Sequence, residues 1–211
     1  MALTLLDRVA ARALCGFTKA LTGARMLWIG CAPEATQRVY FGNHGSHGDF
    51  ALIWACLPID LRKRTRPVAG SDYWCSGALR TYVATRVIDA VLIDRNPDTR
   101  KLDPIRQMAD AIASGDSLIV FPEGTRNTTD ATLLPFKSGI YHLAHACPEV
   151  EFVPVWIENS RRVMPKGQLL PVPLLCTLTA GEPIKLQAGE DKDAFVDRTR
   201  NALLALMPAE S

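Results

Sequence analysis

Apolar residues recur at three- and four-residue steps along the first 27 positions: Leu3, Leu6, Ala10, Leu14, Phe17 and Leu21. Arg8, Arg12 and Lys19 fall on the other side. That period predicts an amphipathic helix over residues 1–27. Two settings suit it: packing on a domain, or lying at a membrane interface with its apolar face in lipid and basic face toward anionic headgroups. Beyond residue 27 the pattern changes to short β-rich runs alternating with helical ones. Arg38 to Phe41 reads as a strand ending at Gly42-Asn43, with a helix from about Ser46 to Ala55. Val87 to Ile93 reads as a buried strand, followed at once by "DRN". Asp103 opens a helix that has Pro104 first and Gly115 just past its end, with Ile105, Met108, Ala109 and Ile112 as its buried stripe.

Ser117 to Phe121 predicts another strand, closed by "PEGTR", and a helix is expected from Ser138 to Ala146. Phe152 to Ile157 reads as a strand whose Pro154 suggests an edge or a bulge. Leu174 to Ala180 is expected as the last strand. A helix from Asp193 to Met207 follows, with Phe195, Leu203, Leu204 and Met207 inward. Strands alternating with helices imply an α/β fold: a single-domain sandwich with a largely parallel or mixed sheet flanked by helices, preceded by the N-terminal helix. No repeat, linker or low-complexity stretch divides residues 28–211.

Composition narrows the classes. The 211 residues are 48% hydrophobic and 22% charged, the balance of a folded globular domain, with a net charge of +2. Any basic effect is therefore local. "LRKRTRP" crowds Arg62, Lys63, Arg64 and Arg66 together, either as a solvated surface or facing phosphates. Nucleic acid is disfavoured, because no aromatics interleave the cluster to stack bases. No run reaches the roughly 18 apolar residues of a spanning helix, and charges interrupt the N-terminus against a signal peptide. The six cysteines show no C-x-x-C spacing, which fits reduced thiols in a cytoplasmic protein.

Polar clusters follow three strands directly: "NHGSHGD", "IDRN" and "FPEGTR". Ligands in open α/β sheets sit outside the carboxyl ends of strands, so the three propose one site. His44 and Asp49 meet if His44 lies in a loop and Asp49 in the first helical turn. A carboxylate on one ring nitrogen then prepares the other to act as a general base. Ser46-x-x-Asp49 ahead of an apolar run equally matches a capping box, and spacing alone does not choose between the two. His44, His47 and Asp49 as metal ligands form a weaker pattern, since helical zinc sites space their histidines four apart. A G-x-S-x-G elbow fails because position 44 is histidine. In "FPEGTR", Gly124 allows close backbone approach, and Thr125 and Arg126 offer donors suited to phosphate. Glu123 is awkward for anion binding and reads also as a brace for Arg126 or the loop. Arg95 is a second phosphate candidate.

In this order the blocks resemble those of the glycerolipid acyltransferase family, typified by 1-acylglycerol-3-phosphate acyltransferases. "NHGSHGD" resembles its His-x4-Asp block, "AVLIDRN" its second, "FPEGTR" its third and "VPVWIEN", 153–159, its fourth. Asn127 stands where serine is common. The match spans roughly residues 38 to 185. The resemblance implies His44 as base with Asp49 as its partner. It implies Asn43, Arg95, Glu123, Gly124, Thr125 and Arg126 in acceptor binding, and no metal or prosthetic group. Lys137 looks family-like without a firm role. Acyl-CoA or acyl carrier protein would be the donor. A lysophospholipid would be the acceptor, 1-acylglycerol-3-phosphate being the modal substrate, although related proteins acylate other lysolipids or lipid-linked amino acids. The implied place of work is the cytoplasmic face of a membrane, with residues 1–27 and 62–66 docking the protein peripherally. Two readings from other classes are a non-catalytic lipid-binding protein and a metal-dependent hydrolase using His44, His47 and Asp49.

Overall fold

The computed structural model describes residues 4–158 and 175–208. Seven strands form one sheet: β1 (Arg25–Trp28), β2 (Arg38–Gly42), β3 (Thr65–Gly70), β4 (Val91–Ile93), β5 (Ser117–Val120), β6 (Glu151–Ile157) and β7 (Thr177–Ala180). Their order is β1-β7-β6-β2-β5-β3-β4. Every pairing is parallel except β6 with β7. Alternation along the central strands builds two cores. Val39, Phe41, Leu118 and Val120 face one layer with Met108, Leu143, Phe152 and Phe195. Tyr40, Ile119, Val153 and Val155 face the other with Leu52, Ile53 and Trp54. Central strands buried on both faces are what a helix-covered parallel sheet requires. The expected sandwich is the observed one.

The helices are α1 (Leu5–Thr22), α2 (Asp49–Cys56), α3 (Ile59–Arg62), α4 (Ser71–Trp74), α5 (Ala78–Tyr82), α6 (Pro104–Ala113), α7 (Gly139–Ala146) and α8 (Lys192–Leu204). α6 starts as its sequence predicts: Asp103 accepts from the Arg106 N–H and Pro104 takes the first turn. Other expectations change. The N-terminal helix stops at Thr22, because Gly23 turns left-handed at φ 53°. Residues 25–28 then form β1, so the expected boundary at residue 27 falls inside the sheet. Val87 does not begin a strand. Val83–Val87 is a π-helical segment, Asp89 takes a positive φ of 46°, and pairing begins only at Val91. Pro154 sits in an internal strand, between β2 and β7. Its missing N–H faces the β7 side, where residues 181–183 leave the ladder between Ala180 and the Phe152–Ile184 bridge. Leu174 and Asn159 lie outside the described residues. Met207 is exposed rather than inward.

"LRKRTRP" also changes character, since Thr65–Pro67 enters β3. Arg66 is tied to Asp116 and Asp89, and Arg62 lies over Trp54 and contacts Cys15. Lys63, paired with Asp60 at 3.4 Å, and Arg64 are exposed, just before β3 and thus at the opposite end of the sheet from the clusters after β2, β4 and β5.

α1 packs in an unexpected sense. Its inner face consists of Asp7, Ala10, Ala11, Leu14, Cys15, Thr18 and Thr22. Leu5 is 78% exposed and Phe17 61%, with Leu6 and Val9 also outward. Among the described residues, no helix is long and apolar enough to cross a membrane. Asp7 fixes this arrangement. It closes a capping box with Thr4, accepts from the Tyr82 hydroxyl at 3.1 Å, and pairs with Arg86 at 2.7 Å. Chiefly the Thr4 backbone N–H, then these side chains, lower its carboxyl pKa from 3.8 to about 2. A depressed pKa stabilises the docked state fully above the unfolded value and loses that stability as pH falls through the folded one. The protection factors of the α1 amides should therefore fall between about pH 4 and pH 2. Asp7→Asn should already exchange faster at pH 7 and show no step over that range.

Candidate active site

The clusters after β2, β3, β4 and β5 converge because these strands are parallel neighbours ending at the same edge. His44 follows β2 in a tight turn before α2. Its Nδ1 lies 3.0 Å from Asp49 Oδ2. The same oxygen accepts the Gly45 N–H at 2.7 Å and the Ser46 N–H at 2.8 Å. Asp49 is fully buried, so this carboxylate is held by donors rather than by water. With Nδ1–H donated to Asp49, Nε2 keeps its lone pair for a substrate proton. The imidazole stacks on Phe121 with centroids 4.3 Å apart, which limits its rotation.

Only half of the anticipated capping box forms. Asp49 accepts from the Ser46 N–H, but the Ser46 hydroxyl accepts from Gly48, and Gly48 is the N-cap. The helix starts at Asp49, two residues later than a box with Ser46 as N-cap would place it. The turn itself is gripped from the "FPEGTR" segment. Glu123 Oε1 accepts the His44 N–H at 2.6 Å, and the Asn127 N–H donates to the His44 carbonyl at 2.6 Å. Glu123 Oε2 accepts from the Leu134 N–H at 2.9 Å. Asn43 clamps the other side: its amide exchanges two hydrogen bonds with the Ile157 backbone, at 3.0 and 2.7 Å.

Asn43 and Glu123, grouped by sequence with the acceptor ligands, thus turn inward as positioning groups. Neither lines the cavity at this edge. Glu123 is the loop brace that its awkward charge suggested. Arg95, Gly124, Thr125 and Arg126 do line the cavity, a space of about 610 Å³ into which His44 also opens. Gly124 takes φ 67°, and a Cβ there would stand 2.8 Å from the Lys137 side chain, which lies across it. Lys137 so becomes a third cation on the rim. The deeper wall is apolar, formed by Ile93, Ile105, Met108, Ile140 and Leu143.

His47, which the sequence offers only as a candidate metal ligand, stands in the cavity wall. Its ring is flat against Tyr73 at 4.1 Å, and Arg80 lies 4.5 Å over Tyr73. Burial, reinforced by Arg126, lowers its pKa to about 4, so it is neutral at pH 7. Among the described residues, no group of three or more His, Cys, Asp or Glu is placed to hold a metal ion. The segment after β3, Asp72 to Trp74, joins the rim without any motif to announce it.

A family model described as "Acyltransferase" matches residues 23–158. The chain is 30% identical over 182 residues to the 1-acyl-sn-glycerol-3-phosphate acyltransferase of Cocos nucifera, covering 82% of this chain and 56% of that protein. It is 26% identical over 177 residues to the human 1-acyl-sn-glycerol-3-phosphate acyltransferase alpha, covering 82% and 60%. The chain therefore spans little more than half the length of these curated relatives. The crystal structure of the 1-acyl-sn-glycerophosphate acyltransferase from Thermotoga maritima superposes with a TM-score of 0.71 over 93% of this chain and 78% of that one. At 20% identity this is a likeness of fold.

Glu123 gives this arrangement a measurable weight. Glu123→Ala strands two inward backbone donors, each costing about 1–3 kcal/mol. Urea unfolding should show a loss of about 2–6 kcal/mol. Glu123→Gln should lose less, because its amide oxygen still accepts one of the two.

Proposed function

The chain belongs to the acyltransferase family, and we propose that it moves a fatty acyl group from a thioester donor to the free hydroxyl of a lysophospholipid. The donor is acyl-CoA or an acyl carrier protein, and the acceptor that fits best is 1-acylglycerol-3-phosphate, giving phosphatidate. One observation carries this reading: the His44–Asp49 pair opens into the same cavity as Arg95, Arg126 and Lys137, with an apolar wall beyond them. A base, a cationic rim and a lipophilic lining in one space match an acceptor that carries a hydroxyl, a phosphate and an acyl chain.

His44 Nε2 takes the hydroxyl proton as the oxygen attacks the thioester carbonyl. Asp49 supports the imidazolium that forms. The tetrahedral intermediate collapses, the carbon–sulfur bond breaks, and the imidazolium returns its proton to the leaving thiolate. Ester and thiol are the products, and no acyl-enzyme, metal or prosthetic group is needed. Arg95 and Arg126 hold the phosphate through charge-assisted hydrogen bonds.

Substrate solubility supports a peripheral place at a membrane surface, for which the cytoplasmic leaflet is our proposal. A sixteen-carbon chain prefers lipid to water by roughly 10 kcal/mol, at about 0.8 kcal/mol per methylene. The outward stripe of Leu5, Leu6, Val9 and Phe17, flanked by Arg8, Arg12 and Lys19, suits an interfacial helix. The Arg62–Arg66 segment is left out of this docking face, because its charges are paired or lie at the far end of the sheet.

Two measurements test the proposal. With labelled acyl-CoA and a lysolipid panel, His44→Ala should lower turnover by about 10²–10⁴-fold while circular dichroism stays unchanged. A folded variant turning over normally would sink the mechanism. Co-sedimentation with anionic liposomes should weaken with added salt and collapse in Phe17→Asp. Undiminished binding would remove α1 from the interface.

A further inference from the structure

Arg95 does not stand alone on the rim. Its Nη2 lies 2.7 Å from Asp72 Oδ2, and its Nη1 reaches the Gly124 carbonyl at 3.4 Å. Asp72 is the one acid among the described residues that line the cavity, against the cations Arg95, Arg126 and Lys137. The pair rests on the bare backbone of Gly70. A Cβ there would come within 2.4 Å of Asp72 Oδ1 and 2.7 Å of Arg95 Nε. Both side chains are substantially exposed, 60% for Asp72 and 47% for Arg95, so water screens them.

We propose that Asp72 and the acceptor's phosphate compete for the Arg95 guanidinium, so that acceptor binding is an exchange of one anion for the other. The inference rests on the reading of this rim as the phosphate site. An exposed pair of this kind is easily displaced, whereas a phosphate offers its oxygens to all three cations at once. Asp72 thereby sets how tightly phosphate compounds are held, substrate and phosphorylated product alike. Because the pair is weak, its removal should tighten phosphate binding by about fivefold and no more. Arg95 also keeps the Asp72 carboxyl below the usual carboxylate range, so the competitor stays ionised at neutral pH.

The probes are inorganic phosphate and glycerol 3-phosphate, used on the full chain as competitors of the lysophospholipid acceptor. Asp72→Asn should lower their inhibition constants by about fivefold. Gly70→Ala, which keeps both charges but crowds the pair, should shift them in the same direction. Arg95→Gln should raise the constants. In the Arg95→Gln background, Asp72→Asn should then have less than about a twofold effect, since the contested group is gone. Equal tightening in both backgrounds would mean that Asp72 acts only through the general field, and would overturn the exchange. Weaker binding in Asp72→Asn would make Asp72 a brace for Arg95 and would overturn it too. Should neither probe inhibit wild type or variant while acyl transfer proceeds, the phosphate reading of the rim fails, and the exchange with it.

Discussion

Asp49 has no surface in contact with water, and an ionised carboxylate in that position must find its solvation in the protein. Three donors supply it on one oxygen: the Gly45 and Ser46 amides and the His44 ring. Those donors exist only if residues 44–48 fold back over the first turn of α2. The tight turn therefore depends on the buried charge, and the orientation of His44 depends on the turn. Outward from there, Glu123 and Asn127 fix the His44 backbone against β5, and Asn43 fixes the end of β2 against β6. The His44–Asp49 pair is thus the meeting point of three adjacent strands rather than an attachment to one. Parallel pairing gives those strands a common carboxyl edge, so Arg95 and Arg126 arrive beside His44 without further contrivance.

Much of this was legible in the sequence where a local rule coincided with the tertiary demand. β2 and β5 read clearly because strands buried on both faces are short apolar runs. α6 read clearly because Asp103, Pro104 and Gly115 punctuate it. His44 and Asp49 were visible as residue types, and the helix beginning at Asp49 was visible as an apolar run, so their meeting followed from a loop-to-helix step. Their neighbours were less visible. β3 hides inside "LRKRTRP", because Arg66 is drawn to Asp116 and Asp89 while its backbone pairs in the sheet. Val87 looked like the start of a strand because apolar runs do not distinguish strand from helix, and here the chain makes a π-helical turn first. Asp72 and Tyr73 reach the rim only because β3 lies between β5 and β4, a matter of strand order that no local spacing records.

The role of Glu123 marks a second kind of limit. A motif reports that a residue type belongs at a place, not which way it faces. Beside Thr125 and Arg126, a glutamate suggests contact with the same ligand. The structure turns it inward, where both oxygens accept backbone donors from two separate segments. The charge that would repel an anion is spent on the loop that shapes the cationic rim. Asn43 follows the same logic, its amide matching a backbone donor and acceptor at once.

α1 shows why periodicity needs packing before it becomes function. Its apolar repeat announces two faces but not which one meets the domain. The inner face is chosen by Asp7, whose partners Thr4, Tyr82 and Arg86 are satisfied only with that side down. Small residues, Ala10, Ala11 and Cys15, let the helix approach closely, and Leu14 adds apolar contact. Leu5, Leu6, Val9 and Phe17 are then left outside. A helix that buries a carboxylate and leaves its leucines in water is poorly explained as a mere cover for the core. The same arrangement is the one on which the proposed lipid docking rests. One ion pair at the base of α1 therefore fixes which surface of the helix faces outward.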